Sequence, residues 1–323
     1  MIVVTGGAGF IGSVFVAKLN AEGIGDIVVV DDLATSEKWK NLVKRRYVDY
    51  IHKGVFLGMV DADQVPFPVE AIVHMGACSS TTERDADYLM ENNFHCTCLL
   101  AEWALQRGIR FIYASSAATY GDGAQGFSDA DETILGLRPI NMYGYSKQLF
   151  DLKVLREEMT KRVAGVKFFN VFGPNEYHKG DMTSVIFKAF HQIRETGRVR
   201  LFKSYRPEYP DGGQMRDFVY VKDCVEVLWW LLNHKEVNGI FNLGTGKART
   251  WNDLIRAVFA ALNLPPAIDY IEMPEAIRGQ YQYFTEAKME KLRAAGCPAA
   301  FGLLEETVAD YVKTHLLETD PYL

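Results

Sequence analysis

The chain is poor in the features that mark most specialised protein classes. It has only five cysteines, Cys78, Cys96, Cys98, Cys224 and Cys297, odd in number and scattered. That pattern argues against a disulfide framework, and Cys96-x-Cys98 has no second Cys/His pair at zinc-ligand spacing. Reduced, mostly buried thiols and no metal are expected. No run approaches the roughly 18 consecutive apolar residues of a membrane helix. No basic segment or cleavage site precedes Ile2-Val3-Val4, so no signal peptide is read and a cytoplasmic location is expected. Positive charge is not in excess: 35 Lys and Arg stand against 41 Asp and Glu, for a net charge of −6. A broadly nucleic-acid-binding protein would need a basic face. An anionic ligand is still allowed, because backbone N–H groups can hold phosphate. Repeats and low-complexity tracts are missing too. At 323 residues and 48% hydrophobic, the chain can bury one large core or two intimate ones.

What is present is alternation. Apolar, β-branched runs at Ile2–Thr5, Ile27–Val30, Ala71–His74, Phe111–Ser115 and Val166–Phe169 read as strands. Between them lie helical patterns at Ser13–Glu22, Tyr88–Gln106 and from Tyr143 to Leu155. This is the signature of βαβ units, hence of an α/β fold with a Rossmann-type, doubly wound parallel sheet. Past Gly173 the texture changes. Tyr205–Gly213 reads as an irregular loop rich in Pro, Gly and Tyr. Val225–Leu232 and Ile240–Leu243 read as a helix and strand that return to the sheet. Further helices are expected near Trp251–Leu262 and Glu286–Ala295. The expected division is a dinucleotide-binding domain over 1–170, rejoined by 215–245, and a smaller mixed α/β substrate lobe over most of 171–323.

The chain opens on Val3-Val4-Thr5-Gly6-Gly7-Ala8-Gly9-Phe10-Ile11-Gly12, a strand, a glycine-rich turn and a helix start. Gly6 permits the tight turn, Gly9 lets backbone approach a pyrophosphate, and Gly12 lets helix and strand pack closely. Asp31 lies 19 residues past Gly12, near the spacing of a ribose-binding carboxylate. Asp31-Asp32 favours a free 2′-hydroxyl and therefore NAD. Lys38, Lys40 and Lys44 follow closely, and a lysine there can neutralise Asp31 and reach a 2′-phosphate, which favours NADP.

Tyr143 and Lys147 are four apart, on one face of the expected helix. An ammonium beside a tyrosine favours the phenolate, which can then take a proton at neutral pH. Tyr145 is two from Lys147 and faces away. Ser116 follows a strand end at the carboxyl edge of the sheet, where α/β folds bind ligands, and can hold a reacting oxygen.

The segments Thr5–Gly12, Ser115–Gly121 and Tyr143–Lys147 resemble the extended short-chain dehydrogenase/reductases that act on nucleotide sugars. Gly76–Glu83, Phe169–Pro174 with His178-Lys179-Gly180, and Arg216–Val221 resemble more narrowly the ADP-L-glycero-D-manno-heptose 6-epimerase family. The likeness runs from Met1 to about Gly296. It implies inversion at C6″ of ADP-D-glycero-D-manno-heptose by transient oxidation and re-reduction with tightly held NADP, regenerated each cycle. It implies a homo-oligomer, a pentamer, and a place in lipopolysaccharide core biosynthesis. Inversion through a planar carbonyl calls for acid/base groups on both faces. The resemblance makes Lys179 the partner of Tyr143.

It further implies cofactor contacts at Gly6, Gly9, Phe10, Ile11, Gly12, Asp31, Asp32, Lys38, Lys53, Met75, Gly76, Ala77, Cys78, Ser79, Asn92, Lys147, Val171 and Lys179. Substrate contacts are implied at Ser116, Asn170, Asp181, Lys188, Phe202, Arg216 and Tyr281, where Arg216 brings a planar fork suited to a diphosphate. Met75, Asp181 and Lys188 depart from the family pattern, and the Tyr205–Gly213 loop is longer. Three other readings share the fold. A sugar-nucleotide 4,6-dehydratase needs an acid and a base beside the strand end, and Ser116-Ala117-Ala118 offers neither Asp nor Glu. A ring-carbon 4-epimerase needs no second base, because the sugar ring can swing round. A dinucleotide-sensing protein needs no Tyr143, Lys147 and Ser116 together.

Overall fold

The computed structural model describes residues 1–278 and 281–323. Twelve strands occur among them: β1 (Ile2–Thr5), β2 (Ile27–Asp31), β3 (Asp49–His52), β4 (Ala71–His74), β5 (Arg110–Ser116), β6 (Val163–Phe168), β7 (Asn170–Phe172), β8 (Val199–Phe202), β9 (Met215–Tyr220), β10 (Gly239–Leu243), β11 (Ala248–Thr250) and β12 (Ile268–Ile271). Seven form one parallel sheet in the order β10-β6-β5-β4-β1-β2-β3. The chain order reverses between β1 and β4, the switch point at which ligands bind in such sheets.

The central strands are buried on both faces, as parallel sheets covered by helices require. The first helix, Phe10–Ala21, is buried through Val14, Phe15, Val16, Ala17 and Leu19, and it packs against the helix Val221–Asn233. The stretch expected as one helix over Tyr88–Gln106 is built in parts: Ala86–Leu89, a π-helical segment Met90–His95, and Cys96–Gln106. The π segment turns Asn93 inward, where it is fully buried.

The smaller lobe carries β11-β9-β7 and β12-β8. The expected return of 215–245 to the large sheet starts later, at Val221. Met215–Tyr220 pairs instead with β7 in parallel and with β11 in antiparallel. Its Asp217 explains the difference. That carboxylate accepts backbone N–H groups of Thr245, Gly246 and Ala287, which ties β9 to the turn entering β11. The strand expected at Val166–Phe169 begins three residues earlier, at Val163, and ends at Phe168.

Candidate active site

Three cavities share walls and form one groove across the carboxyl ends of β1, β4 and β5. The middle one, about 510 Å³, is lined by Gly6, Gly9, Phe10, Ile11, Gly12, Asp31, Lys38, Met75 to Ser79, Ser116, Tyr143, Lys147, Val171 and Lys179. At one end it opens on a chamber bounded by Asp31, Asp32, Lys53, Tyr88 and Asn92. At the other it opens on a cavity of about 270 Å³ bounded by Ser116, Tyr143, Asn170, Val171, Lys179 and Trp251.

The glycine-rich turn fits a dinucleotide. Gly6 sits at φ 63°, and a Cβ there would meet the backbone of Gly76 at 2.6 Å. A Cβ on Gly12 would lie 2.1 Å from the Gly6 carbonyl. The helix that follows starts with no side-chain cap and no acidic residue in its first turn. Its free N–H groups and positive dipole end therefore face the groove, as a pyrophosphate requires.

Asp31 closes the turn. One carboxylate oxygen accepts the Ala8 N–H at 2.8 Å, and the other accepts the Asp32 N–H at 2.7 Å and the Lys38 ammonium at 2.7 Å. Asp32 in turn lies 3.3 Å from Lys53 Nζ, which donates to Asn92 at 3.0 Å. Of the three lysines expected near Asp31, only Lys38 faces it. Lys40 pairs with Glu37, and Lys44 pairs with Asp320.

Tyr143 and Lys147 lie on the helix Met142–Arg156, capped by Asn141 accepting the Gly144 N–H at 2.8 Å. Tyr145 is exposed, as the helix period requires. Lys147 is buried and donates to the Ala114 carbonyl at 2.8 Å. Burial pushes its ammonium down to about 8, against the pull of Asp151 one turn on. The expected lowering of the Tyr143 phenol is not what the protein alone produces. Burial raises it, the hydrogen bond with Ser116 opposes that, and Cys78 adds to the rise. Lys147 spends a hydrogen bond on the Ala114 carbonyl rather than on the phenol.

Beneath this helix lies a second charged pair, wholly buried. Lys167 on β6 meets Asp151 at 2.5 Å and Thr119 at 2.7 Å, and Asp151 also accepts Tyr113 at 2.8 Å and Ser115 at 2.6 Å. A third network crosses the sheet edge. Gly76 N–H donates to Thr5 Oγ1, which bonds His74 Nδ1 at 2.6 Å, while His74 Nε2 bonds Thr97 at 2.9 Å. Burial holds His74 neutral, down to about 3. Asn93 completes the network by clasping Cys78 through its N–H and C=O and donating to Ser146 at 3.1 Å.

Lys179 lies within the short 3-10 segment Tyr177–Met182. Its ammonium lies 5.0 Å over the Phe10 ring, and burial lowers its pKa while Glu176 opposes. Arg216 is nearly buried between the rings of Trp251 and Tyr281, with Phe202 edge-on to Tyr281. Its guanidinium donates to the Met215 carbonyl at 2.8 Å and to Gln282 O, so it does not pair with its neighbour Asp217. Lys188 and Asp181 are exposed, joined by Lys188 Nζ donating to the Asp181 carbonyl at 2.6 Å. Asp181, Lys188, Phe202, Arg216 and Tyr281 line none of the three cavities. Trp251 links Arg216 and Tyr281 to the inner one, its indole N–H donating to Tyr281 at 3.0 Å. Sequence reasoning missed Trp251, Asn93, His74, Asn41 and the buried Asp151. Only Asp151 carried a signal, its i+4 step from Lys147 on the same helix face.

A switch-point groove with a glycine-rich turn and a Ser–Tyr–Lys set defines a short-chain dehydrogenase/reductase site of the extended kind. The chain belongs to the NAD dependent epimerase/dehydratase family, which residues 2–244 match. Its cofactor is accordingly a nicotinamide dinucleotide. The ADP-L-glycero-D-manno-heptose-6-epimerase of Nitratidesulfovibrio vulgaris (strain DP4) is 64% identical over 323 residues, covering 100% of both chains. Among solved structures, the Helicobacter pylori ADP-L-glycero-D-manno-heptose-6-epimerase aligns with a TM-score of 0.81 at 25% identity, over 97% of this chain and 95% of that one. The Thermotoga maritima UDP-glucose 4-epimerase aligns with a TM-score of 0.80, also at 25% identity, over 98% of this chain and 99% of that one.

Proposed function

We infer that this chain is an isomerase that interconverts ADP-D-glycero- and ADP-L-glycero-D-manno-heptose by inversion at C6″. The observation that carries it is the 64% identity across the full length of the Nitratidesulfovibrio relative. Backbone likeness alone would serve a 4-epimerase as well, since the two solved structures align with TM-scores of 0.81 and 0.80.

When bound, the dinucleotide accepts a hydride from carbon and returns it. The remaining work falls to side chains. Ser116 holds the reacting oxygen. Tyr143, as phenolate, takes the hydroxyl proton of one isomer during oxidation and, when the reaction runs in reverse, returns it to that isomer's oxygen. Lys147, one helical turn on, keeps its positive charge below a pH of about 8. Lys179 reaches the same inner cavity from a different segment and serves the opposite carbonyl face as the second acid/base. Its lowered pKa suits that role. The substrate's diphosphate is taken up by Arg216 and Lys188, and its adenine by the Trp251–Tyr281–Phe202 side.

The preferred cofactor is NADP. Lys38 neutralises Asp31, whose carboxylate is already taken by Ala8 and Asp32, so the ribose end is not built around a free acidic acceptor. A homo-oligomer in the cytoplasm completes the proposal. Five unpaired cysteines suit a reducing compartment, and no helix of the described residues is long and apolar enough to cross a membrane.

The test is substrate profiling with mass spectrometry of the released cofactor. Conversion of either heptose isomer into the other, with NADP released, is the expected result. Interconversion of UDP-glucose and UDP-galactose instead would put the 4-epimerase reading in its place. Dinucleotide binding with no turnover of any sugar would reduce the chain to a sensor.

A further inference from the structure

The segment Asp320–Leu323 lines none of the three cavities, yet it is bonded into both banks of the dinucleotide groove. On one bank is the 3-10 helix Glu37–Leu42, which carries Lys38. Just past it, Lys44 donates to the Tyr322 carbonyl at 2.7 Å and pairs with Asp320 at 2.8 Å, and Arg45 donates to the Leu323 carbonyl. On the other bank is the loop that carries His178 and Lys179. There Tyr177 Oη donates to the Pro321 carbonyl at 2.8 Å, and the Tyr177 and Tyr322 rings meet edge to face at 5.1 Å.

The central piece is Asn175. It is fully buried and sits at φ 72°, a left-handed conformation that asparagine tolerates. Its Nδ2 donates to Ser13 on the first helix at 3.0 Å, and its Oδ1 accepts the Leu323 N–H at 3.0 Å. Asn41 then joins the banks directly. Its Nδ2 lies 2.9 Å from the Ala8 carbonyl of the glycine-rich turn, 3.2 Å from the Asn175 carbonyl and 3.3 Å from His178 Nδ1. Removing Leu323 would leave a buried acceptor on Asn175 without its partner, which destabilises the turn leading to His178 and Lys179.

We propose that Asp320–Leu323 is a positioning segment: it fixes the His178–Lys179 loop across the groove and retains the dinucleotide through both halves of the reaction. This rests on the epimerase reading, in which one cofactor molecule must stay bound between oxidation and re-reduction. A dehydrogenase that exchanges its cofactor each turn would have no use for such a tie.

The experiment uses the purified protein with its dinucleotide, a chain stopped after Thr319, and Tyr322→Ala and Tyr322→Phe. Release of NADPH into a scavenging enzyme gives the off-rate, and the unfolding midpoint of each dinucleotide-free form controls for structure. The shortened chain is expected to release about tenfold faster, the loss of roughly 1.4 kcal/mol. Its kcat falls several-fold, with KM for the heptose within about twofold, as loss of positioning rather than of substrate contact predicts. Tyr322→Ala should show a smaller rise. Tyr322→Phe should match the unaltered chain, because the segment works through its backbone and that ring's face. An unchanged off-rate in both the shortened chain and Tyr322→Ala overturns the proposal. So does a Tyr322→Phe that releases as fast as Tyr322→Ala, or a rise explained wholly by a lower unfolding midpoint. If the shortened chain does not fold, the two Tyr322 variants decide alone. If the unaltered chain binds no dinucleotide, the epimerase reading fails first, and the two failures are thereby distinguished.

Discussion

The two banks of the groove handle charge in opposite ways. On the dinucleotide side every ionic group is already engaged: Asp31 with Lys38, Asp32 with Lys53, Lys147 with the Ala114 carbonyl. On the substrate side, Lys179 faces an aromatic ring, and its ammonium has no hydrogen-bond acceptor among the described residues. A preset site positions a group that stays; Lys179, unlike Arg216 and Lys188, which are held by backbone carbonyls, keeps an unspent donor for a group that comes and goes. Preorganisation of this kind costs nothing at the moment of reaction.

The sharpest way to break the comparison is Tyr143→Phe. Turnover should fall by two to four orders of magnitude, with dinucleotide still bound, as the loss of a general acid/base does. Near-normal kcat would remove Tyr143 from the mechanism. Lys179→Met should cost about a hundredfold in epimerisation measured from either heptose isomer. An enzyme at full rate in both directions would show that the substrate bank needs no base of its own.

Cofactor choice tests the other bank. Lys38→Ala should weaken NADP about tenfold or more, the scale of one charge-assisted hydrogen bond, and leave NAD nearly unchanged. Lys40→Ala should change neither by as much as twofold, since Lys40 pairs with Glu37 instead. Equal effects at both positions, read by titration, would undo the distinction.

The smallest effect is in pH. Lys147 carries its proton below a pH of about 8 and loses it above. Activity should therefore decline on the alkaline side through about that value, and Lys147→Arg, which stays charged, should flatten the decline. Stability runs the other way. The unfolded lysine titrates near ~10.4, so between the two values the unfolded chain holds the extra proton and the folded state gains as pH rises. Paired kcat and denaturation profiles of opposite slope would bear this out.

The same contrast explains what could be read from sequence. The dinucleotide bank is made of local patterns. Gly6, Gly9 and Gly12 sit within one turn, Tyr143 and Lys147 one helical step apart, and Ser116 at the end of a strand with a clear apolar run. Physical chemistry acts on those spacings before the chain folds. The substrate bank is assembled from β7, the Lys179 turn, the end of β8, Arg216, Trp251 and Tyr281, which spacing does not connect. Resemblance named most of them, but not Trp251, whose indole joins two of the others, Tyr281 and Arg216. The π-helical segment was invisible for another reason. Its apolar period over Tyr88–Gln106 is that of a helix, and the extra residue shows only in where Asn93 points.

The buried Asp151–Lys167 pair has a consequence for how the chain finds its alignment. β6 is covered on all six residues, so apolar patterning cannot tell its two faces apart, and a slip of one residue would bury as much hydrocarbon as the native pairing. It would not bury Lys167 beside Asp151. The slip would strand a charge on the wrong face of the sheet and leave its partner alone under the helix. The pair thus acts as a proofreading contact: a sheet blind to register by hydrophobicity is given one position at which misalignment is forbidden. Replacing both residues together, Asp151→Leu with Lys167→Met, removes the charges but leaves the buried Tyr113 and Ser115 hydroxyls without their acceptor, so stability should fall by a few kcal/mol, at about 1–3 kcal/mol for each orphaned group, and the hydrogen-exchange protection of β6 should broaden. Unchanged protection there would show that its neighbours β5 and β10 set the register unaided.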